Sequence, residues 1–162
     1  MVRVRIPTVF GAPKISKKSL RNPPFRIKKV INMKMDAKNA ILGRLATRVA
    51  KTLLDGKKVE LYNPGEAIVT GRKKDILEKY RQKKKRGLKH HGPKYPTQSK
   101  EIVRRAIRGM LPYKKKKGKK ALKNLTIHSN PPKEDIKSMA QKDIKTNFLK
   151  IKEISKFIGG KE

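Results

Sequence analysis

The densest chemistry in this chain is cationic. Arg81, Lys83, Lys84, Lys85, Arg86 and Lys89 run directly into His90-His91-Gly92-Pro93-Lys94-Tyr95-Pro96. Cations neutralise phosphates, Gly92 lets a backbone approach closely, and Tyr95 offers a stacking plane beside two histidines that can hydrogen-bond or stack. The prolines lower the entropy lost on ordering such a loop. A second cluster, Lys114, Lys115, Lys116 and Lys117 with Lys119 and Lys120, encloses Gly118 and has no aromatic beyond Tyr113. That composition suits backbone contact rather than base reading, and Lys in place of Arg suits many point-charge contacts with phosphate. Between the clusters lie Arg104, Arg105 and Arg108. Arg44 and Arg48 stand earlier in the chain, Arg72 and Lys73 follow Gly71, and Arg3, Arg5, Lys14, Lys17, Lys18, Arg21 and Arg26 stud the N-terminal segment. All are candidate RNA contacts.

Other chemistries fit poorly. Gly65 to Gly71 followed by Arg72-Lys73-Lys74 only loosely resembles a phosphate-binding P-loop: the glycines are one residue too far apart and no hydroxyl follows the lysine. His90-His91 lacks the Cys or acid needed to complete a metal tetrahedron, so neither a metal nor a cofactor is expected. No Ser-His-acid or paired-carboxylate spacing exists, and no small-molecule substrate or enzymatic activity is expected. Duplex DNA reading has neither zinc-finger spacing nor a heptad zipper behind it.

The elements that would carry these cations are readable from periodicity. Val30-Ile31-Asn32-Met33-Lys34-Met35 predicts a first strand. Asn39 is a candidate N-cap for a helix with Leu42, Leu45, Ala46, Val49 and Leu53 inward, stopped by Asp55-Gly56. Lys58 to Asn63 alternates as a second strand, Pro64-Gly65 turns the chain, and Ala67-Ile68-Val69-Thr70 is a third strand. Residues 75–85 read as a helix with Ile76, Leu77 and Tyr80 inward, and residues 86–98 as a loop. Ser99 caps a helix whose buried stripe is Ile102, Val103, Ala106, Ile107 and Met110, ended by Pro112. A helical turn over residues 119–123 leads to a fourth strand, Leu125-Thr126-Ile127-His128. Phe148, Ile151, Ile154, Phe157 and Ile158 predict a terminal amphipathic helix stopped by Gly159-Gly160. Pro7, Gly11, Pro13, Pro23 and Pro24 forbid a long helix before residue 30. The expectation is therefore a basic extended arm over residues 1–29 and a single α/β domain over residues 30–162.

Charge balance narrows the partner. The 162 residues hold 46 Lys plus Arg against 12 Asp plus Glu, a formal charge of +34. Such a chain repels itself unless counter-charge is near, and neutralising phosphates also releases their condensed counterions. The excess is uneven: residues 1–35 hold ten basic residues and no acid, and between Glu78 and Glu134 twenty Lys or Arg face Glu101 alone. No segment approaches the roughly 20 apolar residues of a spanning helix, and the absence of Cys fits a reducing cytosol. No membrane partner is expected.

Gly43-Arg44-Leu45-Ala46, Val69-Thr70-Gly71, Gly92-Pro93 with Tyr95-Pro96, and above all Arg104-Arg105-Ala106-Ile107-Arg108-Gly109-Met110-Leu111-Pro112 occur in one order. Together they closely resemble the universal large-subunit ribosomal protein L-thirteen family, from about residue 31 to Gly160, and Lys156-Phe157-Ile158-Gly159-Gly160 looks like its archaeal branch. The resemblance implies a three-layer α/β/α fold around a four-stranded parallel sheet. It implies binding of large-subunit ribosomal RNA beside neighbouring ribosomal proteins in the cytoplasmic large subunit, a part in subunit assembly, and no catalysis. Its RNA-facing parts would be the loop over residues 81–96, the arginine face of the helix over residues 101–110 and the basic stretch after Pro112. Two departures stand out: residues 1–30 have no counterpart, and Asn63-Pro64-Gly65-Glu66 replaces the usual Asn-Ala-Glu. Competing readings from other classes are a free regulator of a particular mRNA and a nucleoid protein.

Overall fold

In the computed structural model the described residues are 32–86, 92, 94–132, 136 and 146–160. The expected arm, the start of the first strand at Val30 and Ile31, and Lys89, His90 and His91 fall outside them. In chain order the elements are β1 (Asn32–Asp36), α1 (Leu42–Leu54), β2 (Lys58–Tyr62), a 3-10 turn (Pro64–Glu66), β3 (Ile68–Thr70), α2 (Lys73–Lys85), α3 (Ser99–Met110), α4 (Lys116–Lys123), β4 (Leu125–Ile127), β5 (Phe148–Lys150) and α5 (Ile151–Phe157). The class is α/β, as expected.

The sheet differs from the expected four parallel strands. β1, β2 and β4 pair in parallel, in that order, while β3 pairs antiparallel with β5 in a separate two-stranded sheet. A single parallel bridge, Ile41 to Ile68, links β3 to the chain beyond β1. The sequence shows why the parallel strands do not read as doubly covered. Strands buried on both faces are near-continuous apolar runs, whereas Lys58-Val59-Glu60-Leu61-Tyr62 alternates. Val59 and Leu61 are fully buried, with Met35 and Leu125 on the same face, and Lys34, Lys58 and Thr126 on the other are exposed. β5 escaped the sequence reading because Phe148-Leu149-Lys150 is too short to show a period. Only Leu149 of the three is buried, and Phe148 and Phe157, both expected inside, are exposed.

Two expected caps also move. Asn39 sits in the left-handed region (φ 54°) and Ile41 occupies the N-cap of α1; Gln98, not Ser99, occupies the N-cap position of α3, without a side-chain capping bond, and Ser99 is buried as the first residue of the helix. Asn tolerates the left-handed conformation better than most residues, and the chain uses this twice. Asn63 (φ 53°) leads into the Pro64–Glu66 turn, and its amide donates to the buried Asp36 carboxylate at 2.9 Å, tying the ends of β1 and β2. The core joins α1 (Leu45, Val49, Leu53), α3 (Ile102, Val103, Ile107), β2 and α5 (Ile151, Ile154). Fully burying each such aliphatic contributes about 1.5–3 kcal/mol before chain entropy is counted.

Candidate nucleic-acid interface

α3 is amphipathic. Ile102, Val103 and Ile107 are buried, and Lys100, Arg104 and Arg108 recur every fourth residue on the exposed side, a stripe about 12 Å long at 1.5 Å per residue. With Arg105, Pro96, Leu122 of α4 and Ile127 of β4, this stripe lines a groove of about 590 Å³ whose only acid among the described residues is Glu101. Met110, expected in the buried stripe, is instead 51% exposed. It sits at the last turn of α3, just before the chain turns at Leu111-Pro112.

The loop cations and Tyr95 are held more tightly by the protein than the sequence suggests. The Arg105 guanidinium lies 4.7 Å from the centre of the Tyr95 ring, and Tyr80 meets that ring edge-on at 6.0 Å. Lys83 lies 4.8 Å from the Tyr80 ring and 5.8 Å from Tyr95. Burial pushes the Tyr80 hydroxyl up to about 12, with Tyr95 adding to it, and raises that of Tyr95 as well. Burial first, then the like charges of Lys79, Arg105 and Arg86, make the Lys83 ammonium harder to keep charged. A phosphate brought to this cluster would relieve that repulsion. Arg105 also donates weakly to the Lys94 carbonyl, at 3.5 Å. Tyr95 therefore first orients an arginine and fastens the loop to α2 and α3. Lys84 is likewise engaged, donating to the Ile158 carbonyl at the end of α5.

The carboxyl end of the loop is clamped by α5. Ser155 is fully buried, its hydroxyl donates to the Thr97 carbonyl at 2.7 Å, and a side chain at Gly160 would strike both that hydroxyl and that carbonyl. Ser155→Ala leaves the Thr97 carbonyl without its partner, which costs about 1–3 kcal/mol. Urea unfolding should show the midpoint falling accordingly, with the slope unchanged.

Helix starts concentrate the remaining charge. Among the described residues, each of the α-helices α1 to α5 has a cation in its first turn: Arg44 in α1, Lys73 and Lys74 in α2, Lys100 in α3, Lys116 and Lys117 in α4, and Lys152 in α5. The first turns of α1 and α4 contain no acid. A cation at the positive pole of a helix dipole destabilises the isolated fold by about 0.3–1 kcal/mol, whereas an anionic ligand there is favoured. α4 is longer than the expected turn and takes in Lys116 and Lys117; Lys114, Lys115, Lys119 and Lys120 are exposed around it. Gly118 is buried against the backbone of Pro112 and Tyr113, so this lysine-rich end is set rigidly against the end of α3. Arg108 reaches across that corner to the Tyr113 ring, 5.3 Å away.

Of the other sequence candidates, Arg44, Arg48, Arg72, Lys73, Arg81, Lys85, Arg86 and Lys94 are exposed, and none of them lines the α3 groove. Lys100 was not a sequence candidate. Its signal was legible all the same, as a cation next to a helix start where an acid is the stabilising choice. Among the described residues there is no cluster that could hold a metal ion and no helix long and apolar enough to cross a membrane.

The comparisons agree with this geometry. The family model described as Ribosomal protein L13 matches residues 30–134. The large ribosomal subunit protein uL13 of Methanococcus maripaludis is 42% identical over 135 residues, covering 78% of this chain and 97% of that protein. That of Picrophilus torridus is 39% identical over 132 residues, covering 77% and 95%. That of Natronomonas pharaonis is 35% identical over 129 residues, covering 77% and 89%. With matched segments that span the α3 arginine face and the Gly-Met-Leu-Pro corner, this chain belongs to the ribosomal protein L13 family.

Proposed function

We propose that this chain is a structural constituent of the large ribosomal subunit that binds and stabilises large-subunit ribosomal RNA beside neighbouring ribosomal proteins and assists subunit assembly, with no catalytic role. The observation that carries this reading is the α3 stripe of Lys100, Arg104 and Arg108 set against the acid-free start of α4. In this reading residues 30–162 are one domain and residues 1–29 an RNA-binding arm. β3 is the fourth strand of the family's three-layer fold, on the support of the parallel Ile41–Ile68 bridge.

The α3–α4 corner meets the RNA backbone, so its contribution is electrostatic and salt-dependent. Replacing Lys114, Lys115, Lys116 and Lys117 with Ala should flatten the dependence of RNA affinity on salt, by about 0.7–0.9 in log–log slope for each phosphate no longer neutralised. An unchanged slope would mean these lysines face solvent in the complex. Sedimentation of native extracts, in salt that preserves ribosomes, tests the placement itself. The protein should travel with large subunits; a mostly free pool would favour an mRNA regulator instead.

A further inference from the structure

We propose that the crevice outside the carboxyl ends of β2 and β4 binds a single unpaired nucleotide, holding its phosphate with Lys100 and Lys152 and stacking its base on His128. This goes beyond the ribosomal RNA reading. There the α3–α4 surface engages phosphates along a backbone, whereas here one residue is received with its base.

Two grooves, of about 580 and 490 Å³, meet at this edge of the sheet and share Lys100 and Ser129 as a common wall. Each volume lies within the range of small-ligand sites. Both grooves lie at the carboxyl ends of β2 and β4, where Tyr62 ends one strand and Asn63 follows it, and His128 and Ser129 follow the other. One groove contains the chemistry for a base. The His128 and Tyr62 rings stack at 5.0 Å between centroids and 20° between planes, and His128 is exposed, so its outer face can take a third ring. The Tyr62 hydroxyl donates to Glu60 at 3.1 Å and helps fix the lower ring of the pair. The other groove contains the chemistry for a phosphate. Lys100 and Lys152 line it from the starts of α3 and α5, and Gln98, Asn63 and Ser129 supply polar groups. Its one acid among the described residues, Glu66, is neutralised by Lys150 at 2.7 Å, which limits the uncompensated negative charge the phosphate meets there. A π-platform joined to a cation pair by a shared lysine selects a nucleotide over a bare anion.

The nucleotide can be free or an extruded residue of an RNA strand, and the test separates these sources. The full-length chain is titrated with adenosine 5′-monophosphate, with adenosine, with inorganic phosphate and with a 5′-phosphorylated tetraadenylate, following the His128 ring resonances by NMR. Saturable shifts are expected with the phosphorylated ligands. Adenosine should bind about tenfold more weakly or worse, since it lacks the charged partner of the lysines. Saturation by the mononucleotide assigns a free ligand, and saturation by the tetranucleotide alone assigns an RNA residue; either supports the proposal. By calorimetry, His128→Ala should weaken binding about fivefold or more, the loss of one stacked base. Lys152→Gln should weaken it comparably while leaving duplex RNA binding at the α3–α4 surface unchanged. Inorganic phosphate binding as tightly as the nucleotide, a His128→Ala variant binding normally, or no shift with any ligand would each overturn the proposal. A loss of duplex binding in the unaltered chain would count instead against the ribosomal RNA reading.

Discussion

Gly118→Ala should destabilise this protein more than any other exchange of a glycine for alanine in its helices. A Cβ built at Gly118 lies 2.1 Å from the Pro112 carbonyl oxygen, 2.4 Å from its carbon and 2.9 Å from the Tyr113 nitrogen. All three are backbone atoms, so no side chain can rotate away. The Pro112 oxygen also accepts from the Lys115 N–H at 2.9 Å, and moving it would break the turn that leads into α4. Overpacking of this kind costs about 1–3 kcal/mol, and more where backbone must shift. At roughly 2–8 °C per kcal/mol, thermal unfolding should show a drop of several degrees or more. Gly109→Ala is the internal control. Gly109 also lies in a helix, but nothing stands within 4 Å of its missing Cβ, so alanine should stabilise the free protein by about 0.5–1 kcal/mol. If Gly109 is kept small so that RNA can come close, the same variant should bind RNA more weakly while melting higher. A Gly118→Ala variant melting like the unaltered chain would show that the corner yields.

This pair marks where sequence reasoning succeeds and where it stops. The arginine side of α3, its apolar face of Ile102, Val103 and Ile107, and the alternation in β2 were legible because each expresses a local period. Gly118 was visible as a glycine within a lysine run, but only tertiary packing shows that it touches Pro112. The same limit explains Met110. Its spacing fits the buried stripe, yet in that last turn Ile107 takes the core-facing place and Met110 is left 51% exposed. Tyr95 and Lys84 have the composition of RNA contacts. Their partners, Arg105 and the Ile158 carbonyl, lie 10 and 74 residues away in the chain, beyond any local pattern. β3 pairing with β5 is non-local in the same sense, and a three-residue strand carries too little pattern to announce its partner.

The α3 stripe makes the other large prediction, on binding rather than folding. Arg104 and Arg108 are exposed, four residues apart and on one side of the helix, with the apolar face opposite. The isolated fold gains little from them: Arg108 lies 5.3 Å from the Tyr113 ring, but both residues are exposed, where such a contact contributes about 0.5–1 kcal/mol. Among the described residues no acid forms a salt bridge with either, and each adds to a surface already crowded with like charge. Arg105 differs: its guanidinium is seated on Tyr95 and bonded to the Lys94 carbonyl, so replacing it disturbs the loop as well. The informative variant is therefore Arg104→Gln with Arg108→Gln, leaving Arg105 in place. Hydrogen bonds to charged groups contribute about 1.5–3 kcal/mol each, so losing two should lower RNA affinity about a hundredfold or more. The log–log salt slope should fall by about 1.4–1.8 if each arginine meets one phosphate. Thermal stability should change little, because the relief of like-charge repulsion offsets the lost Arg108–Tyr113 contact. Filter binding across a salt series, with melting curves on the same preparations, reads both quantities. Affinity lost together with stability would make the arginines structural. Affinity lost while stability holds would make α3 the RNA-facing helix, because the rest of the fold would then be shown to stand without them.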